Sequence, residues 1–185
     1  MEKIIGLDVK KLLAIPGKHW GFEKYEKIMK SFSVIDVRSD RDFQKNFNGF
    51  YRVRRNVEWQ KNYYSIMEQG KTKKQSFEEV LSEMYARTGR VEASFASKLL
   101  HTIDHNMPIW DQFVLQNLNK KLPICRGEEK IEKCIKIYGE IVTWYKEALA
   151  DIGVRQKLFE FDEILPQYKW FSSTKKLDFL LWQMR

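Results

Sequence analysis

Apolar residues along this chain recur at intervals of three and four far more often than at intervals of two. The clearest run is Ile131, Cys134, Ile135, Tyr138, Ile141, Val142, Tyr145, Ala148 and Leu149. These fall on one face of a helix, which is expected to end near Asp151-Ile152-Gly153. Weaker runs of the same period predict helices over about 20–32, 53–67, 77–85, 95–103, 109–118 and 177–182. Before the last of these, Ser172, Ser173 and Thr174 supply hydroxyls suited to a helix N-cap. Strict apolar and polar alternation is almost absent, so the expected class is all-α. Breaks at Pro16-Gly17, Gly70, Thr88-Gly89, Pro108, Pro123, Gly127 and Pro166 leave connections of a few residues. Neither a flexible linker nor an internal repeat is visible. Residues 1–185 read as a single all-α domain, either one compact unit or two small helical lobes with a cleft between them.

A hydrophobic fraction of 43% over 185 residues suffices for one ordinary core. At the N-terminus, charges break the apolar residues of "MEKIIGLDVKKLLAIPG" into short runs, unlike a signal peptide. No later stretch approaches the ~20 apolar residues that cross a bilayer. Cys125 and Cys134 lie nine residues apart without a C-x-x-C pair and read as reduced thiols. The expected location is the cytoplasm. A net charge of +8 favours polyanionic partners, because each phosphate neutralised by Lys or Arg releases condensed counterions.

Three places carry candidate chemistry. The stretch "FYRVRRNVEWQKNYYSIMEQGKTKK" mixes Arg52, Arg54 and Arg55 and four lysines with Tyr51, Trp59, Tyr63 and Tyr64. Its two readings are a helix whose basic face tracks phosphates and an amphipathic helix with a solvated basic side. His101 and His105 are four apart, as metal-binding pairs are, but a zinc site needs three or four ligands and no third is placed. Capping or core hydrogen bonding is the expected role of this pair. Lys98 and Asp111, thirteen residues apart, sit among apolar neighbours in "SFASKLLHTIDHNMPIWDQFV". By position alone, Lys98 suits an exposed helix face, and Asp111, soon after Pro108, suits the positive end of a new helix. The phosphate loop, the dinucleotide fingerprint and the nucleophile elbow are all absent, which removes the common nucleotide-binding and hydrolase readings.

The run "SFASK", an apolar helix and then "MPIWDQFV" resembles the signature of the helix-hairpin-helix DNA glycosylases, in particular their 8-oxoguanine DNA glycosylase-like branch. The resemblance covers 77–114, about a fifth of the chain. The basic run "YRVRRNVEWQ" and the closing "KKLDFLLWQ" are also similar to bacterial members. The resemblance implies a helix-hairpin-helix scaffold with Ser94, Phe95, Ala96, Ser97 and Lys98 in the hairpin places. Pro108 and Asp111 take the turn and carboxylate places. It further implies a DNA repair glycosylase with AP lyase activity that removes an oxidised purine through a Schiff base on Lys98, without metal or cofactor. Damaged duplex DNA would be the partner, met by Arg52, Arg54, Arg55, Ser94, Ala96 and Ser97, with Trp110 and Trp182 available for the base pocket. Three features depart from the family pattern. Ser94 and Ala96 stand where the family has glycines, the Lys98-to-Asp111 spacing is shorter, and an extra residue lies between Pro108 and Asp111. Two other readings stand beside this one: a helical nucleic-acid-binding protein without catalysis, and a helical interaction protein with an acidic partner.

Overall fold

A computed structural model describes residues 2–14 and 20–183. The turn expected at Pro16-Gly17 lies outside the described residues. Within them the regular structure is helical, without strands. In chain order the helices are α1 (Glu2–Ile5), α2 (Val9–Leu13), α3 (Trp20–Phe32), α4 (Arg41–Tyr51), α5 (Val57–Gln69), α6 (Phe77–Thr88), α7 (Ala93–Ile103), α8 (Gln112–Asn117), α9 (Gly127–Ala150), α10 (Ile152–Ile164) and α11 (Ser173–Gln183). A 3-10 turn, Pro166–Tyr168, precedes α11. None of the described helices is long and apolar enough to cross a membrane.

Most helix starts carry a side-chain cap for the amide groups that a first turn leaves without partners. Asp40 accepts from the Phe43 amide at 2.7 Å and Asn56 from the Trp59 amide at 2.9 Å. Ser76 and Glu79 form a reciprocal capping box on α6. The hydroxyl cap expected before the last helix is supplied by Ser172, whose Oγ accepts from the Lys175 amide at 3.1 Å. Asp151 ends α9, as its periodicity predicts, and at once caps α10 through the Val154 amide at 3.0 Å.

Several expectations shift. The helix predicted over 53–67 begins at Val57, and a separate helix, α4, precedes it. Asn56 competes for local hydrogen bonds better outside a helix than inside one, and this fixes the later start. Arg52, Arg54 and Arg55 therefore sit on the α4–α5 connection and not along a helix face. Arg52 occupies the left-handed C-cap of α4, with φ 55°. The stretch 109–118 is helical only over α8.

α3 packs on α4, α5 on α6, α6 on α7 and α9, and α10 on α1, α2, α9 and α11. α11 also reaches α8 and α9. Much of the core is aromatic. Phe22 meets Phe179 edge-on at 4.4 Å between ring centroids, and Phe77 stacks on Tyr138 at 3.8 Å.

Candidate active site

The site is built around α7, whose apolar side is sunk in the core. Ala96, Leu99 and Leu100 are buried there together with three polar residues, Ser97, His101 and Thr102. Buried polar groups need partners, and Ser97 and His101 find theirs chiefly in the segment that follows the helix. Ser97 Oγ accepts from the Trp110 amide at 2.8 Å and donates to the Ser94 carbonyl at 3.0 Å. The His101 Nδ1 lies 2.6 Å from the Met107 carbonyl, and its Nε2 lies 2.8 Å from the Tyr25 hydroxyl. A carbonyl only accepts, so Nδ1 carries the proton and Nε2 accepts from Tyr25. From α9, Tyr138 donates its hydroxyl to the Pro108 carbonyl at 2.8 Å. Ser97 and His101 thereby hold the 104–111 segment against α7, and Tyr138 ties it to α9.

That clamp delivers Asp111 to the N-cap of α8, where its Oδ1 accepts from the Phe113 amide at 2.8 Å. This is the helix-end position that its place after Pro108 predicts. Lys98, in the second turn of α7, and Asp111 both line one cavity of about 680 Å³. Tyr51, Phe50, Ile109, Trp110, Phe113 and Phe179 supply its apolar walls, and Lys24, Arg52, Lys175, Asp178 and Trp182 line it as well. A volume of this size is typical of small-molecule sites.

Lys98 is half-buried and differs from the exposed lysine of the simpler reading. Its Nζ lies 5.1 Å from the Phe95 ring centroid and 5.9 Å from that of Tyr51, and it donates to the Tyr51 carbonyl at 3.4 Å. Burial lowers its pKa from the ordinary lysine value. Asp111 and Asp178 pull it back up, and Lys175 and Arg52 add to the lowering. The physical cause is desolvation and not a helix N-terminus, because Lys98 lies beyond the first turn of α7.

Sequence reasoning missed the contribution of α11. Lys175 is only 2% exposed, its Nζ 2.7 Å from Asp178 Oδ2 and 4.4 to 4.6 Å from the ring centroids of Phe179 and Tyr25. A lysine is buried this deeply only with a counter-charge and aromatic faces to replace water. The signal was present in "KKLDFLLW", where Lys175 and Asp178, three apart, share a helix face with Trp182. Nothing in that spacing says that the face looks into a cavity formed with α7 and α8.

The remaining candidates separate. Ser94 lines the cavity. Ser94 to Lys98 occupy the first two turns of α7, so the hairpin places assigned by the resemblance are helical here, and Ala96 and Ser97 are 0% exposed. Ala96 and Ser97 are core residues, and an assignment of direct DNA contact to them is corrected. With side chains at 94 and 96 in place of glycine, this backbone continues smoothly as helix. Arg52 is exposed at the cavity, and Arg54, on the same connection, is exposed but not among the residues that line it. Arg55 turns away to Glu92, donating from Nε to Oε1 at 2.8 Å, with its guanidinium 5.3 Å from the Phe95 ring centroid. His101 fills the core hydrogen-bonding role expected of the histidine pair, and α7 ends before His105. Among the described residues no group of three or more His, Cys, Asp and Glu is placed to hold a metal ion. No family model, curated protein or solved structure matches this chain.

Proposed function

We propose that the cavity is the active site of a DNA glycosylase with AP lyase activity, acting on an oxidised purine such as 8-oxoguanine, on a helix-hairpin-helix glycosylase-like scaffold. The observation that carries this reading is the meeting of Lys98 and Asp111 in one aromatic-walled cavity with Lys24 and Arg52 at its lining. The resemblance of "SFASK" and "MPIWDQFV" supports the same pairing from the side of the sequence.

In this reading the damaged nucleotide leaves the stack, at a cost of a few kcal/mol, and enters the cavity. The neutral Lys98 amine attacks the sugar C1′, the glycosidic bond breaks, and its electron pair leaves with the base, which takes up a proton. The amine loses one proton on attack, and its nitrogen lone pair then opens the sugar ring, the ring oxygen taking up a proton, to give the iminium, which keeps the other amine proton. Removal of a C2′ proton then expels the 3′ phosphate. An ammonium has no lone pair, so the desolvation that lowers the Lys98 pKa is the property the first step requires. Asp111, anchored at the α8 N-cap, stabilises positive charge developing on the sugar.

The test is reductive trapping. Incubation with an 8-oxoguanine duplex and borohydride is expected to give a covalent protein–DNA adduct, absent in Lys98→Gln. A second reading, nucleic-acid binding without catalysis, is favoured by the helical conformation of residues 94–98, which removes the hairpin from the expected place. Salt-sensitive duplex binding with neither adduct nor base release would select it.

A further inference from the structure

The connection 119–126 between α8 and α9 rises from the helix that Asp111 caps, and both of its ends are fixed. Asn119, with φ 52°, closes α8, and the Lys120 amide donates to the Leu115 carbonyl at 2.8 Å. The Lys120 ammonium pairs with Glu140 of α9 at 2.8 Å. At the far end Gly127 adopts φ 58° as α9 begins, a conformation that a side chain would strain. Between these anchors the tip exposes two large apolar side chains, Leu122 at 66% and Ile124 at 101%, on either side of Pro123. Lys121 and Arg126 are exposed next to them.

Single exposed apolar residues need no explanation. Here two stand within three residues on an anchored tip, and Leu122 also lines the cavity that holds Lys98 and Asp111. Trp182, another of the large exposed apolar side chains, lines it too. An apolar point flanked by cations, at the edge of a cavity with Lys24 and Arg52 in its lining, suits a polyanion with an apolar interior open to insertion. Stacked nucleobases between phosphate strands have that chemistry, and apolar side chains wedge between base steps in other architectures.

We propose that the 119–126 tip is a nucleic-acid wedge: Leu122 and Ile124 enter the base stack of a duplex at the cavity mouth while Lys121 and Arg126 meet the flanking phosphates. This rests on the reading of the cavity as a DNA site, and deepens it by assigning the element that holds a duplex open. A wedge gains most where a base is already missing, so it confers preference for a gapped stack over an intact one.

The experiment compares binding of the full chain to a duplex containing a tetrahydrofuran abasic analogue and to the intact duplex at one salt concentration. Wild type is expected to prefer the abasic duplex by roughly tenfold or more, since a missing base removes an unstacking cost of a few kcal/mol. Leu122→Ser with Ile124→Ser is expected to abolish that preference, and Leu122→Met with Ile124→Met to retain it. An unchanged preference in the serine variant, or an equal loss of affinity for both duplexes, overturns the wedge. Borohydride trapping of wild type on a single-stranded abasic oligonucleotide, which has no duplex stack to open, is expected to give the covalent adduct without any contribution from the wedge. Absence of that adduct in wild type would reject the lysine chemistry, while the binding preference would still report on the wedge.

Discussion

At the residue scale, His101 shows how a titratable group becomes part of the scaffold. Its burial, and then the nearby Lys175 charge, push its pKa down to about 3. Below the ordinary histidine pKa of about 6.5 the unfolded chain binds a proton that the native state refuses. Stability contributed by this residue is therefore complete at neutral pH and falls as pH drops, by about 1.4 kcal/mol per unit until the native ring itself titrates near pH 3. His101→Gln is expected to cost roughly 2–3 kcal/mol at pH 7.5 through lost bonds to Tyr25 and Met107. The same variant should lose stability less steeply between pH 6.5 and 4. Denaturant unfolding across that range measures both effects, and a variant with an unchanged acid slope would remove His101 from the account. Lys175, buried on α11, has Asp178 beside its Nζ and ring faces on three sides, Tyr25, Phe50 and Phe179.

At the scale of elements, the clamp between α7 and the 104–111 segment couples the core to the cavity. Ser97 is the hinge of that coupling, because its hydroxyl is the acceptor for a buried backbone amide at Trp110, next to Asp111. Ser97→Ala leaves that amide without its partner and is expected to cost about 1–3 kcal/mol. Thermal unfolding gives the loss directly. In the trapping assay Ser97→Ala is expected to slow adduct formation although Ser97 itself is buried, because Asp111 loses its fixed position. The helix that bears Lys98 was legible from its 3.6-residue period. The helices expected from periodicity omit α4, although Phe43, Phe47, Phe50 and Tyr51 fall at the three- and four-residue spacing of one helix face. Phe47 is fully buried, because α3 and α5 bring neighbours such as Tyr64 to it.

Across the whole molecule, the charge of +8 is general, but its arginines divide by what surrounds them. Arg52 is exposed at the cavity, and Arg52→Gln is expected to weaken duplex binding at every sequence and to reduce the log affinity versus log salt slope by about one. Arg55 is committed to Glu92 and the Phe95 face. Arg55→Gln is expected to leave that slope nearly unchanged and to lower thermal stability instead. Fluorescence anisotropy titrations at several salt concentrations, with an unfolding curve for each variant, separate the two. Equal slope changes would mean that the pairing with Glu92 gives way on binding.

The amino-acid order by itself determined the all-helical class, the long helix α9 and its end at Asp151, the capping serine before α11, and the helix-end place of Asp111. All are local, resting on periodicity over a few turns or on a side chain within three residues of the amide it caps. It also singled out Lys98 and Asp111 as residues in an apolar setting. Tertiary structure alone decided that these two line one cavity, that Lys175 and Asp178 join them from a distant part of the chain, and that Arg55 turns from the solvent to Glu92. It likewise decided that residues 94–98 continue as helix with Ala96 and Ser97 inward. The reason is that burial and cavity walls are properties of packed surfaces brought together from separate helices. A one-dimensional pattern specifies which face of each helix is apolar, but not which other face will meet it.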